Sequence, residues 1–119
     1  MGDKDVLGQV GEAVAARVLG DAGLEVIDRN WRCARGEIDI VASDGSTLIF
    51  CEVKTRSSRM FGDPLEAVHP IKAMRLRLLA CMWLADHPGG RWGDIRFDVI
   101  SVLKAPGVAA RVRHVRGAI

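Results

Sequence analysis

The sequence has little cysteine and no cysteine pair. Cys33, Cys51 and Cys81 are widely spaced among 119 residues and form no CxxC. An odd, dispersed set argues against a disulfide framework or a cysteine-built zinc site. It reads instead as reduced, mostly buried thiols of a cytoplasmic protein. His69, His87 and His114 are equally dispersed and form no HxxxH pair. No apolar run approaches the roughly 20 residues that span a bilayer, so no membrane partner is expected. The first five residues carry two acids and no apolar stretch, unlike a secretory signal. Internal repeats and low-complexity segments are also lacking, so a single domain over residues 1–119 is expected.

What is present is the composition of an ordinary globular chain, 49% hydrophobic and 27% charged. A chain of this size buries roughly 65% of its unfolded surface and needs no staple. The net charge of +2 names no partner. The bases are 13 Arg and 4 Lys, a bias that suits phosphate recognition and also follows from GC-rich coding.

Residues 5–22 predict a helix, with Val6, Val10, Ala13 and Val14 at helical spacing, Asp3 or Asp5 as cap and Gly23 as stop. Around Glu12 the helical neighbours are Gly8, Gly11, Ala15 and Ala16, small residues that permit close approach. Residues 24–32, 36–43 and 47–55 read as three consecutive strands, and Asp44-Gly45 as a hairpin turn. Residues 56–63 read as a loop, and 64–68 as a helical turn. A second helix over 70–86 is expected to bury Ile71, Met74, Leu78, Leu79 and Met82, with Lys72, Arg75 and Arg77 outward. His87-Pro88-Gly89-Gly90 ends it. Residues 94–103 make a fourth strand and 111–116 a short Arg-rich edge strand. The order predicts one mixed sheet with helices against it, an α/β or α+β sandwich.

The chemistry lies in acids on strands that should be buried. By the period of two, Ile38, Ile40 and Ala42 share one face, and Glu37, Asp39 and Val41 the other. In the third strand Leu48, Phe50, Glu52 and Lys54 share a face. A carboxylate and an amine among strong strand formers are costly unless paired or bound to something. With Asp44-Gly45 as a two-residue turn, Asp39 pairs with Phe50 and Glu37 with Glu52. A longer turn shifts this by one or two residues. In either register Asp39, Glu52 and Lys54 fall in one patch. Carboxylates that close repel unless a cation neutralises them, and hard oxygen ligands suit Mg²⁺ or Mn²⁺.

An acid followed thirteen positions later by Glu-x-Lys on the next strand, Asp39 and Glu52-Val53-Lys54, resembles the PD-(D/E)xK nuclease superfamily. Gly11-Glu12 resembles the helix carboxylate of many of its members. More narrowly, the chain resembles the small bacterial family called YraN. The resemblance rests on Gly8-x-x-Gly11-Glu12-x-x-Ala15, Asn30-Trp31-Arg32, Gly36-Glu37-Ile38-Asp39-Ile40-Val41-Ala42, Glu52-Val53-Lys54-Thr55-Arg56 and Arg96-Phe97-Asp98-Val99. Where the superfamily's motif has proline, this chain has Ile38.

The resemblance implies a restriction-endonuclease-like α/β fold, a three-layer sandwich around a central mixed sheet. It implies Asp39, Glu52 and the Val53 carbonyl as metal ligands. Lys54 would orient or activate the attacking water, and Glu12 would reach a metal-bound water or a second metal. Thr55, Arg56 and Arg59 would lie at the mouth. Lys72, Arg75 and Arg77, by themselves a solvated face, could frame a phosphate groove with Arg56 and Arg59. The implied activity is Mg²⁺- or Mn²⁺-dependent hydrolysis of phosphodiesters, with DNA, branched or damaged, as the expected partner. So small a chain offers little surface to span a branched junction, which leaves a homodimer as an open expectation.

Plainer readings stand beside these. Glu52 and Lys54 alone are a surface ion pair; Asp39 and Glu12 tip the balance toward a site. Glu37 belongs to the site or pairs with Arg35 or Arg56. Asp98 reads as structural, paired with Arg96 or Arg56. Trp31, Trp83 and Trp92 read as packing residues, and His69 as a helix-start residue. A nucleic-acid-binding or partner-docking module without turnover, or a purely structural charge network, are the competing functions.

Overall fold

In a computed structural model, residues 6–57 and 70–119 are described. The expectations for Asp3, Asp5, Arg59, His69 and the turn at 64–68 fall outside these residues. The chain runs α1 (Val6–Asp21), β1 (Glu25–Cys33), β2 (Gly36–Ser43), β3 (Thr47–Arg56), α2 (Pro70–Asp86), β4 (Asp94–Leu103) and β5 (Arg111–Val115). The strands form one sheet in the order β1-β2-β3-β4-β5. β3 and β4 are parallel and the other neighbours antiparallel. The expected mixed α/β architecture is thus present. Among the described residues no helix is long and apolar enough to cross a membrane.

The two helices cover opposite faces of the sheet. Ala15 and Leu19 of α1 pack with Ile40, Ala42, Ile49, Cys51, Ile100 and Val102. Leu76, Leu79, Ala80 and Trp83 of α2 pack with Ile38, Val41, Leu48 and Phe50. The alternation along β3 follows from the strand's period of two.

The buried stripe of α1 is the small-residue side expected to permit close approach, not the apolar line through Val6, Val10 and Ala13. Val6 is 76% exposed, and Val10 and Ala13 also face outward. Gly11, Glu12, Ala15 and Leu19 are buried instead. Volume decides this: a Cβ built on Gly11 would lie 1.9 Å from Thr55 Oγ1, so only glycine lets the helix sit this close to β3. α1 ends in a Schellman motif. Gly23 has φ 90°, and Leu24 N–H donates to the Leu19 carbonyl at 3.0 Å.

The expected face of α2 is corrected in part: Leu79 is buried and Met82 half-buried. Ile71, Met74 and Leu78 are exposed, while Leu76, Leu79, Ala80 and Trp83 are buried. Trp83 selects this face. Its ring packs edge-on against Phe50, and its Nε1–H reaches Asp28 Oδ2 at 3.0 Å. Cys81 is exposed, Cys33 half-buried and Cys51 buried, which corrects the expectation of mostly buried thiols.

Asp98 is structural, as expected, and fully buried. Arg96 grips both its oxygens, at 2.9 and 3.0 Å. His114 Nε2 lies 2.7 Å from Oδ2, and Gly117 N–H donates to Oδ1 at 2.9 Å. Burial pushes the Asp98 carboxyl up, but Arg96, Gly117 N–H and His114 outweigh it and hold it below its ordinary value. The carboxylate ties β5 and the residues after it to β4.

These contacts predict opposite outcomes for two glycines of one helix. Gly11→Ala should destabilise the fold by about 1–3 kcal/mol through overpacking, despite its gain in helix propensity. Gly20→Ala meets nothing within 4 Å and should stabilise by up to about 1 kcal/mol. Urea unfolding midpoints check both.

Candidate active site

The site begins where β2 parts from β3. Their pairing runs from Ser43↔Leu48 to Ile40↔Cys51, two residues away from the register expected for an Asp44-Gly45 turn. Asp44 Oδ1 explains the shift. It accepts from Ser46 N–H and Thr47 N–H at 2.9 and 2.7 Å, which moves the loop to Gly45 and Ser46. A shift of two preserves every residue's face, so the predicted patch survives. Continuing the observed register sets Asp39 opposite Glu52.

At Asp39 the strand alternation breaks. Ile38 packs with the α2 cluster, whereas Ile40 and Ala42 pack with the α1 cluster. The three were expected on one face. The reason is local: the β2–β3 ladder stops at Ile40. On the other side of β2, Asn30 lies between the pairs Arg29↔Ile40 and Trp31↔Ile38 with φ 52°. The Asp39 carboxylate then satisfies β3 in place of a β2 carbonyl, its Oδ2 accepting the Val53 N–H at 2.8 Å.

Glu52 lies beside it. Lys54 Nζ is 3.1 Å and Lys72 Nζ 2.9 Å from the same oxygen, Oε1. Two of the chain's four lysines thus converge on one carboxylate. Burial pushes the Glu52 carboxyl up, but the two ammoniums outweigh it and hold it below its ordinary value. Burial and the neighbouring Lys72 charge lower Lys54, against the pull of Glu52.

Asp39, Glu52 and Lys72 open onto a cavity of about 230 Å³ also lined by Arg35, Gly36, Glu37, Arg75, Leu76 and Leu79. Lys72 and Arg75 line it as the groove reading requires. Arg35 was not singled out for the site; only its place at the β2 entrance, two residues before Glu37, hinted at it. Glu37 lines the cavity and pairs with Arg32 at 3.3 Å, not with Arg35 or Arg56, because Arg32 and Glu37 are direct partners across β1 and β2.

The structure places two predicted residues, Glu12 and Thr55, elsewhere. Glu12 is 1% exposed on the α1 side. Its Oε1 accepts from Asn30 Nδ2 at 2.7 Å and pairs with Arg29 Nε at 3.3 Å. Thr55 points at Gly11 rather than the cavity mouth. Arg56 pairs with Leu103 of β4, and its carbonyl accepts the Lys104 N–H at 2.9 Å.

Among the described residues, no three His, Cys, Asp or Glu side chains group to hold a metal. Three carboxylates line the cavity; Glu37 is held by Arg32, which leaves Asp39 and Glu52, on neighbouring strands, as its oxygen donors. That set fits a hard cation that keeps most of its waters, as Mg²⁺ does when held by one or two carboxylates.

A profile of the family described as "Uncharacterised protein family UPF0102" matches residues 11–102. Similar proteins include a UPF0102 protein of Beutenbergia cavernae, 55% identical over 114 residues and 96% of each chain. One of Frankia alni is 52% identical over 97% of this chain and 95% of its own. One of Streptomyces griseus is 52% identical over 98% of each.

The charge arrangement predicts a titration result. Glu52 should titrate below the ordinary glutamate value of 4.5, and Lys72→Ala should raise it, read by carboxyl-carbon NMR. A depressed carboxyl contributes stability that is complete above its unfolded value and is lost as pH falls through the folded one. Lys72→Ala should therefore shrink the acid-side loss of stability.

Proposed function

The chain belongs to the uncharacterised family UPF0102, and from its site we propose a divalent-metal-dependent nuclease that hydrolyses phosphodiester bonds in DNA. One observation carries this reading. Asp39 and Glu52 line one cavity just past the last β2–β3 pair, Ile40↔Cys51, with Lys54 on Glu52 and Arg35, Lys72 and Arg75 around the same opening. Carboxylates to hold a cation and bases to hold a phosphate converge on one opening. The likeness of Asp39 and Glu52-Val53-Lys54 to the PD-(D/E)xK pattern supports the same conclusion, and with it a restriction-endonuclease-like fold.

Asp39, Glu52 and the Val53 carbonyl hold Mg²⁺ or Mn²⁺ in this reading. The ion supplies Lewis-acid polarisation of the phosphoryl oxygen and a water made more acidic by coordination. The chain's own groups do the rest. With a cation held by Glu52, Lys72 would be free to leave that carboxylate and, with Arg75 and Arg35, would take the backbone phosphates. Lys54 remains beside the scissile phosphate, orients the attacking water and offsets the charge that develops on the phosphoryl oxygens. Glu12 works through Asn30, whose main chain lies opposite Asp39, and so positions the strand that presents the first ligand. Arg56, at the end of β3, extends the nucleic-acid path. The protein acts in the cytoplasm, where its three thiols stay reduced.

A second reading has its own observation. Lys54 and Lys72 already neutralise Glu52 without any metal, which suits a module that binds nucleic acid without turnover. Such a module shows DNA affinity that falls steeply with salt and no cleavage.

Calorimetric titration of Mn²⁺ and Mg²⁺ separates the two. The wild type should bind one ion and Glu52→Ala none, and Asp39→Ala and Glu52→Ala should abolish cleavage of branched DNA while remaining folded. Cleavage that persists in both variants contradicts the nuclease assignment. DNA binding with neither metal uptake nor cleavage establishes the silent module.

A further inference from the structure

α2 carries two apolar stripes, and the fold uses one of them. Leu76, Leu79, Ala80 and Trp83 are buried against the sheet. Ile71, Met74 and Leu78 are 67%, 70% and 44% exposed, and Cys81 and Ala85 continue their line in the open. The spacing is three, four, three, four. At 3.6 residues per turn the outward stripe lies about 180° from the buried one. An outward line of this spacing is the seam of a helix pair, and none of its five residues lines the cavity.

We propose that this stripe is a self-association surface, seated on the same stripe of a second copy with the two α2 helices antiparallel. Charge selects both the occupant and its direction. Of the bases in residues 70–77, Lys72 is turned onto Glu52 and Arg77 lies over the Phe97 ring, which leaves Arg75 beside the stripe; residues 78–86 contain Asp86 and no base. A parallel pair sets Arg75 against Arg75. An antiparallel pair sets the Arg75 half of each helix beside the other's Asp86 and its negative C-terminal carbonyls. Side-chain size agrees. The large residues Ile71 and Met74 of one copy lie over the small Cys81 and Ala85 of the other, with Leu78 near the two-fold axis. A two-fold contact needs this self-complementarity, each patch meeting its own copy. The helix is about 25 Å long, so the buried area falls below that of a standard interface and the dimer is reversible. Arg75 borders both the seam and the cavity, so the dimer brings two cationic cavity rims beside one helix pair.

Sedimentation equilibrium from about 1 µM to about 1 mM tests this directly. The wild type should rise with concentration from the monomer's 12.9 kDa toward twice that mass. Leu78→Asp and Met74→Glu, both at exposed positions, should stay monomeric throughout with unchanged circular dichroism. Asp86→Lys should raise the dissociation constant by about three- to tenfold, since each dimer loses two opposite-charge contacts. A wild type that stays monomeric overturns the proposal, because something other than a second copy then covers the stripe. Dimers that survive both Leu78→Asp and Met74→Glu overturn it too. An unchanged constant in Asp86→Lys overturns the antiparallel arrangement.

Discussion

The hydrogen bond from Val53 N–H to Asp39 Oδ2 is the contact on which the site depends. A sheet can open between two strands only if the donors and acceptors exposed by the opening find other partners. Here β2 leaves β3 after Ile40↔Cys51, and the Asp39 side chain takes the donor that β2 no longer serves. The same carboxylate is thereby fixed beside Glu52. The opening, the cavity beneath it and the position of the first acid have a single cause.

Charge burial is handled in two ways on the two sides of the sheet. Asp98, on the α1 side, is fully enclosed by Arg96, His114 and a main-chain N–H, and so closes the structure around β5. Glu52, on the α2 side, faces a cavity and is held by two flexible lysines on one oxygen. A bidentate guanidinium is a fixed partner, whereas an ammonium on a four-carbon stem can be displaced. That contrast separates a structural carboxylate from one poised to exchange its partners.

Much of the fold was legible in the sequence, because turn signals and strand formers are local. β2 and β4 begin and end where the pattern put them, and Gly23 ends α1 as expected. What was illegible depended on contacts between elements. The hairpin register differed by two because one Asp44 oxygen gathers Ser46 and Thr47. For α1, hydrophobic spacing misplaced the buried face, whereas the small residues around Glu12 marked it, because Gly11 leaves room for Thr55. α2 offers two apolar stripes, and periodicity cannot choose between them; the Trp83 contacts with Phe50 and Asp28 do. The candidate site was readable as a patch, since Asp39, Glu52 and Lys54 keep their faces under a shift of two. Its division was readable in part. Period two already sets Thr55 on the face opposite Glu52 and Lys54 and sets Glu37 with Asp39, as found, whereas the α1-side burial of Glu12 and the place of Arg35 at the cavity depend on contacts between elements.

The central claim is that Asp39 and Glu52 form a cation site that Lys72 yields. Paramagnetic broadening maps it without reference to any substrate. Sub-stoichiometric Mn²⁺ added to ¹⁵N-labelled protein should first broaden the amides around Asp39 and of Cys51 to Lys54, and should perturb the Lys72 side chain. Broadening centred on exposed acids such as Asp44 or Asp86, with the Val53 amide untouched, would contradict the account.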